Sequence, residues 1–339
     1  MDLSKLSQIL QGEAKFRFKQ VYQSLYQDYI SDWQQISVLP LSLRERLIKE
    51  CPLDIQGVIV KDKNDKRAEK ALITFSDGIS VEAVLIRHRD GRHTLCLSSQ
   101  AGCALACSFC ATGKAGFKRN LSAEEIEQQY LFWARHLVVE NKGEKIDNLV
   151  FMGMGEPFLN YDNFIKAVYN FHNPEKYNIG SRRMSVSTAG IVEGIKKLAS
   201  EKLQINLAIS LHAPLDSLRS QLMPIAQKYS LFSLFKAVDF YIAKTGRRVM
   251  FEYIMLKNVN DGDDDAQVLA QLMHKKLYLL NLIPYNPTGN FQPSSAQRIE
   301  SFKKILEQSG VAVTTRFSPG QSIGAACGQL AAKKVNKIN

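Results

Sequence analysis

The sequence predicts an α/β protein: a parallel sheet with helices outside it, preceded by a small helical segment and a short β-rich one. Two observations carry this. From residue 91 onward strand-like and helix-like stretches alternate, and six βα units in succession imply parallel strands joined by helical crossovers. Before them the hydrophobic period changes, from helical steps to strand alternation. With 339 residues, 45% of them hydrophobic, the chain can build one large domain and a smaller one.

In FRFKQVYQSLYQDYI (16–30) aromatic and aliphatic residues recur at three- and four-residue steps, and LSLRERLIKE (41–50) follows a proline, so residues 1–55 read as a helical accessory domain. Residues 56–88 read as a connecting segment of short strands and charged turns, with SDG (76–78) as a hairpin signal. The core, 89–322, starts with the strand TLCLSS (94–99) and the helix SAEEIEQQYLFWARHLVV (122–139). DNLVFMGM, RRMSVST, INLAISLH, RVMFEYIML, YLLNLIPY and VAVTTRF follow as strands. Between them lie the amphipathic stretches NYDNFIKAVYNF, IVEGIKKLAS, SLFSLFKAVDFYIAKTG, DDAQVLAQLMHKK and SAQRIESFKKILEQSG. Residues 323–339 form a C-terminal segment. An open doubly wound sheet and a barrel both satisfy this count, and in both, function gathers at the carboxyl ends of the strands. There is no P-loop and no G-x-G-x-x-G after a strand.

No apolar run approaches the roughly 18–20 residues that span a bilayer, and MDLSKLSQIL carries no signal-peptide pattern, so the expectation is a soluble, cytoplasmic protein. In a reducing cytosol six cysteines point to metal or redox chemistry rather than a disulfide framework. The net charge of +11 suggests a polyanionic partner, against the alternative of a solvated basic surface. Lys114, Lys118, Arg119, Arg182 and Arg183 sit near expected strand ends and are candidates for holding it; the tail adds KK-x-x-K (333–337).

Half of the cysteines fall in one loop. Cys103, Cys107 and Cys110, spaced C-x3-C-x2-C among small residues, follow the first strand of the α/β region. A structural zinc needs four ligands, and Cys51, Cys96 and Cys327 are not paired at C-x2-C spacing, although His88 or His93 offers a fourth. An iron–sulfur cube held by three thiolates leaves one iron open for a ligand.

This loop, with Phe109 just before its last cysteine, resembles that of the radical S-adenosylmethionine superfamily. The following motifs agree in order. MGMGEP (152–157) is similar to the motif that binds the methionine amino group through Gly155 and Glu156. The third strand ends in Ser187 and Thr188, the fourth in Ser210, Leu211 and His212, and the sixth runs into YNP with Asn286. The resemblance implies a partial (β/α)6 barrel, a 4Fe-4S cluster on Cys103, Cys107 and Cys110, and cofactor contacts at the residues just named. TLCLSSQAGCALACSFCATGKAGFKRNL (94–121) and GAACGQL (324–330) look like the RlmN/Cfr family of RNA methyltransferases, a likeness covering roughly residues 80–332. Pro157 and FEYIML (251–256) sit closer to its C2-methylating housekeeping branch than to its C8-methylating resistance branch.

The chemistry explains why such a protein needs paired cysteines. Adenine C2 is electron-poor and has no lone pair to attack a methyl sulfonium, whereas a carbon radical can add there. The resemblance implies two molecules of S-adenosylmethionine per turnover, one to methylate Cys327 and one to start radical chemistry on that methyl group. Cys96 then attacks the sulfur and releases methylated RNA, leaving a transient disulfide. Glu82 matches the family's acidic proton acceptor. Implied partners are 23S rRNA in protein-free or precursor form, tRNA as a second substrate, and a flavodoxin-type electron donor, with the chain a monomer. The target base must leave its stack to be reached.

Each assignment has a plainer rival. Cys96 between Leu95 and Leu97 could fill the core, and Cys327 could be part of a small-residue tail. Glu82 could be a surface strand residue, Glu156 an acid at a helix start, and His212 a satisfied core histidine. Cys51 reads as structural. Competing functions are a Cfr-type C8 methyltransferase, a radical enzyme that does not methylate, and a zinc-stabilised RNA-binding module; the second has no use for Cys96 or Cys327.

Overall fold

A computed structural model describes residues 1, 5–63, 65–140, 143–289, 291–316 and 319–332. The basic tail at 333–337 lies outside them. Three helices open the chain: α1 (Leu6–Leu10), α2 (Lys15–Tyr26) and α3 (Leu41–Glu50). Their apolar stripes bury Leu10, Val21, Leu25 and Leu47 completely, and Trp33 Nε1 donates to the Cys51 carbonyl at 2.7 Å. These side chains belong to the same continuous core as the sheet that follows.

That sheet has ten strands. β1 (Gln56–Lys61), β2 (Ala68–Thr74), β3 (Ser80–Arg87) and β4 (His93–Cys96) form an antiparallel meander. The expected SDG turn joins β2 to β3, with Gly78 at φ +79°. β5 (Gln100–Gly102) and β6 (Phe117–Asn120) make a separate hairpin that brackets the cysteine loop, with the short helix α4 (Ala111–Lys114) inside it. Neither short strand shows hydrophobic alternation, so period reading passes over both.

The parallel part alternates as expected. α5 (Ala123–Val139) leads to β7 (Asn148–Phe151), α6 (Tyr161–His172) to β8 (Met184–Thr188), and α7 (Val192–Leu198) to β9 (Asn206–Ser210). α8 (Asp216–Leu222) and α9 (Leu231–Thr245) lead to β10 (Val249–Met255), α10 (Asp263–Leu272) to β11 (Tyr278–Pro284), and α11 (Ala296–Gln308) to β12 (Val313–Thr315). Local signals start and stop these helices. Ser122 and Glu125 form a reciprocal capping box on α5, and α9 ends on Gly246 in the left-handed conformation.

The strand order β4-β7-β8-β9-β10-β11-β12 follows the chain without reversal, and every neighbouring pair in it is parallel. A doubly wound sheet needs an order that reverses at a switch point. Without one, right-handed crossovers keep the helices on one face and curl the sheet into a barrel. The sheet ends at β1 and β12, so the barrel is partial. Among the described residues, no helix is long and apolar enough to cross a membrane.

Candidate active site

The carboxyl ends of the parallel strands surround a cavity of about 560 Å³. Its wall includes Cys103, Cys107 and Cys110 together with Cys96 and Cys327. Gly155, Glu156, Ser187, Thr188, Ser210 and His212 complete much of the circuit between them.

The cysteine loop is shaped by its hairpin. Gly102 has φ +80°, and a Cβ there would lie 1.8 Å from the Gly116 carbonyl oxygen, so only glycine closes the hairpin. Cys103 N then donates to that carbonyl at 3.1 Å, and Cys110 caps α4. The three thiols pack against an apolar pocket that includes Leu105, Phe109, Met223 and Ile254. Burial pushes Cys103 up to about 11 and Cys107 further still, so these two thiols stay protonated unless a metal takes their protons.

A tetrahedral zinc with bonds of about 2.3 Å would hold its sulfurs roughly 3.8 Å apart. Among the described residues, the set of three His, Cys, Asp or Glu ligand atoms that lie within 4.8 Å of one another is that of Glu69, His136 and Glu140; the three cysteine sulfurs are not such a set. Three thiols in one loop, facing a cavity, fit an iron–sulfur cube with one open iron.

Glu156 ends the β7 turn. Gly155 before it has φ +98°, and a Cβ there would lie 2.5 Å from the side chain of Gln100, whose Oε1 accepts from Glu156 N. The carboxylate accepts from Phe158 N at 3.0 Å and from Ala189 N at 2.7 Å. Glu156 is thus both the cap of the short turn at Pro157–Asn160 and part of the cavity wall. Burial raises its pKa to about 7.

His212 sits at φ +60° after β9, with Asn260 Nδ2 donating to its carbonyl at 2.8 Å. Ile254 N donates to its Nδ1 at 3.1 Å, which leaves the ring proton on Nε2. Burial and the nearby Arg219 lower its pKa to about 3, so the ring is neutral. Its edge-to-face contact with Phe109, at 4.8 Å between centroids, joins it to the cysteine loop.

The chain after β12 returns across the cavity mouth as a strap, residues 319–332. Lys70 Nζ donates to Gly324 O at 3.1 Å and Asn286 Nδ2 to Cys327 O at 3.2 Å. Gly328 O accepts from Ala111 N at 2.8 Å, and Leu330 O from Thr112 Oγ1 at 2.5 Å. These bonds set Cys327 in the wall that holds Cys96.

Three expected site residues stand elsewhere. Glu82 does not line the cavity. It is buried on β3, with Lys70 Nζ 2.9 Å from one carboxylate oxygen and Ala331 N donating to the other at 2.8 Å. Those contacts tie it to the strap. Leu211 is fully buried in the core, because the left-handed turn at His212 follows it and takes the chain back to the cavity. Asn286 lies outside the cavity wall and holds the backbone of Cys327 instead. Among the basic candidates, Arg119 is committed to Asp77 and Glu125, and Lys114 donates to Thr288 O.

Other residues had no sequence signal. Arg219, on α8, is fully buried and donates to the carbonyls of Ala189, Ser210 and Leu211, clamping the ends of β8 and β9. Glu252 and Arg316 both line the cavity, 3.8 Å apart. Glu252 Oε1 accepts from Asn281 Nδ2 at 3.0 Å, while Oε2 is buried without a hydrogen bond, and burial raises its pKa.

The radical SAM superfamily model matches residues 97–269. A probable dual-specificity RNA methyltransferase RlmN of Syntrophomonas wolfei subsp. wolfei is 44% identical over 340 residues, covering 97% of this chain and 95% of that one. The protein of the same description from Chloroflexus aurantiacus is 44% identical, covering 100% and 93%. A crystal structure of a radical SAM methyltransferase from Sphaerobacter thermophilus superposes with a TM-score of 0.92 at 41% identity, covering 98% of each chain.

Proposed function

Because the chain belongs to the radical SAM superfamily and, within it, to the RlmN family of RNA methyltransferases, we propose that it methylates C2 of an adenosine in 23S rRNA, and in tRNA, by way of an S-methyl group on Cys327. The observation that carries this reading is the common cavity. Two cysteines far apart in sequence, Cys96 and Cys327, line the same cavity as the three-cysteine loop.

Cys103, Cys107 and Cys110 would hold a 4Fe-4S cluster, which when bound supplies the electron that cleaves S-adenosylmethionine. Everything else falls to side chains of this protein. Glu156, Ser187, Ser210 and His212 present polar groups to a cofactor in the cavity, and His212 does so as a neutral Nε2–H donor. The strap holds Cys327, half-buried, in the cavity wall. Joining its methyl carbon to adenine C2 displaces the C2 hydrogen, which leaves as a proton; Cys96 then attacks the Cys327 sulfur. The S–S bond forms as the sulfur–carbon bond breaks, and the electron pair leaves on the methyl carbon, which takes a proton. With Glu82 tied to Lys70 and Ala331, its carboxylate serves this chemistry by holding the strap.

The RNA is met as protein-free or precursor RNA, since the adenine must be unstacked into the cavity. A flavodoxin-type donor supplies the electrons to a monomeric, cytoplasmic enzyme. Anaerobic incubation with protein-free 23S rRNA, followed by nucleoside mass spectrometry, should yield 2-methyladenosine. An 8-methyladenosine product would move the chain to C8 chemistry, and no methylated adenosine would end the reading.

A further inference from the structure

A thiol that must attack sulfur has to be a thiolate, yet burial, with Cys327 adding to it, pushes Cys96 up to about 12. Two groups act in the other direction, a backbone hydrogen bond from Met152 and the charge of Arg316. Arg316 is held at the end of β12, where its backbone N donates to Leu282 O at 2.8 Å. Its Nη1 lies 3.7 Å from Met152 Sδ and 3.8 Å from Glu252 Oε1. A guanidinium has five N–H donors. Among the described residues the Arg316 guanidinium hydrogen-bonds only to the Met152 sulfur, so most of its donors are left for the cavity it shares with Cys96 and Cys327.

We propose that Arg316 is a positioning residue for the cysteine pair, holding its charge beside whichever of Cys96 and Cys327 is the thiolate, with Glu252 anchoring the guanidinium. This rests on the two-cysteine reading above and deepens it. The surrounding charges agree with the assignment. Burial works against the Arg316 cation, but Cys327, Glu252 and Cys96 together overcome that and raise its pKa. From the β3–β4 turn, His88 faces it and is lowered by burial and by nearby cations, Arg316 among them, so it adds little positive charge. From β2 and β3, Lys70 and Glu82 are already paired with one another. Arg67, Arg87 and Arg89 also line the cavity, the first two paired with Asp65 and with Glu69 and Glu144; of these cations it is Arg316 whose charge acts on Cys96, and both cysteines act on it in turn.

The test is the rate at which iodoacetamide alkylates Cys96 and Cys327 as pH is varied, read by peptide mass spectrometry on the anaerobic holoenzyme. Each thiol loses its proton to water, and the thiolate displaces iodide to form a thioether. Arg316→Gln should slow alkylation of both cysteines about tenfold at pH 8 and move the Cys96 inflection up by about one pH unit. Arg316→Lys should recover part of the shift. The iron–sulfur absorption of each variant reports whether it has folded. An unchanged Cys96 inflection in a folded Arg316→Gln would overturn the proposal, as would a variant whose sole defect is weaker RNA binding. Methylated nucleoside is measured on the same wild-type preparation. If it is missing while Arg316→Gln still shifts the thiols, the methyltransferase reading falls and the thiolate role of Arg316 stands.

Discussion

Glu82 and Ala331 stand 249 residues apart in the chain and meet at 2.8 Å, the strap amide donating to a carboxylate that Lys70 already neutralises. Because the same lysine also bonds Gly324 O, one buried ion pair fastens the strap on both sides of Cys327.

Glu82→Ala should therefore release the strap while leaving the cluster loop intact. It strands a buried lysine and frees an amide, a loss of about 3 kcal/mol. Hydrogen exchange should rise in residues 320–332, and RNA product should fall tenfold or more with iron content unchanged. Lost activity with no change in strap protection would return Glu82 to the role of proton acceptor.

Replacing any one of Cys103, Cys107 or Cys110 by Ala should abolish the cluster, since two thiolates do not hold a cube securely. Iron and sulfide near four each per chain in the wild type, and near none in the variants, is the expected analysis. One zinc per chain would remove the radical chemistry altogether.

Cys96 and Cys327 should fail at different steps. Cys327→Ala accepts no methyl group and forms no product. Cys96→Ala should still carry a methyl on Cys327 and couple to RNA, then be unable to let go. The trapped protein–RNA adduct should appear as a nuclease-sensitive shift on a denaturing gel. If Cys96 only packs, its loss costs about 1 kcal/mol of stability and turnover continues.

His212 gives a pH dependence with a definite sign. Unfolded, its imidazole titrates near 6.5; folded, it titrates at about 3. Between those values the unfolded chain holds the extra proton, so stability is present above pH 6.5 and is lost as pH falls toward 3. His212→Gln keeps an acceptor for Ile254 N and removes the titration. Relative to that variant, the wild type should lose about 3 kcal/mol between pH 7 and pH 4 in urea unfolding. A difference that does not change with pH would mean the ring is not neutral.

The sequence by itself determined the features that rest on short-range rules. Helix caps, strand alternation and the βα rhythm are local, and so is the spacing of three thiols in one loop between two glycines. The motif ends at Gly155, Ser187, Ser210 and His212 were legible because a parallel sheet brings the carboxyl ends of its strands together whatever its detailed curvature. The βα rhythm alone left a barrel and a doubly wound sheet open; the family resemblance pointed to the partial barrel, and the unreversed strand order agrees. Only the tertiary structure decided what each polar group does. Nothing local marks Arg219 as buried; β8 and β9 turn three carbonyls toward it. Glu82 looks like a strand acid until the strap, arriving from the far end of the chain, meets it. The physical reason is that charge state and hydrogen-bond partner depend on burial and on neighbours distant in sequence, and a local pattern carries no record of either.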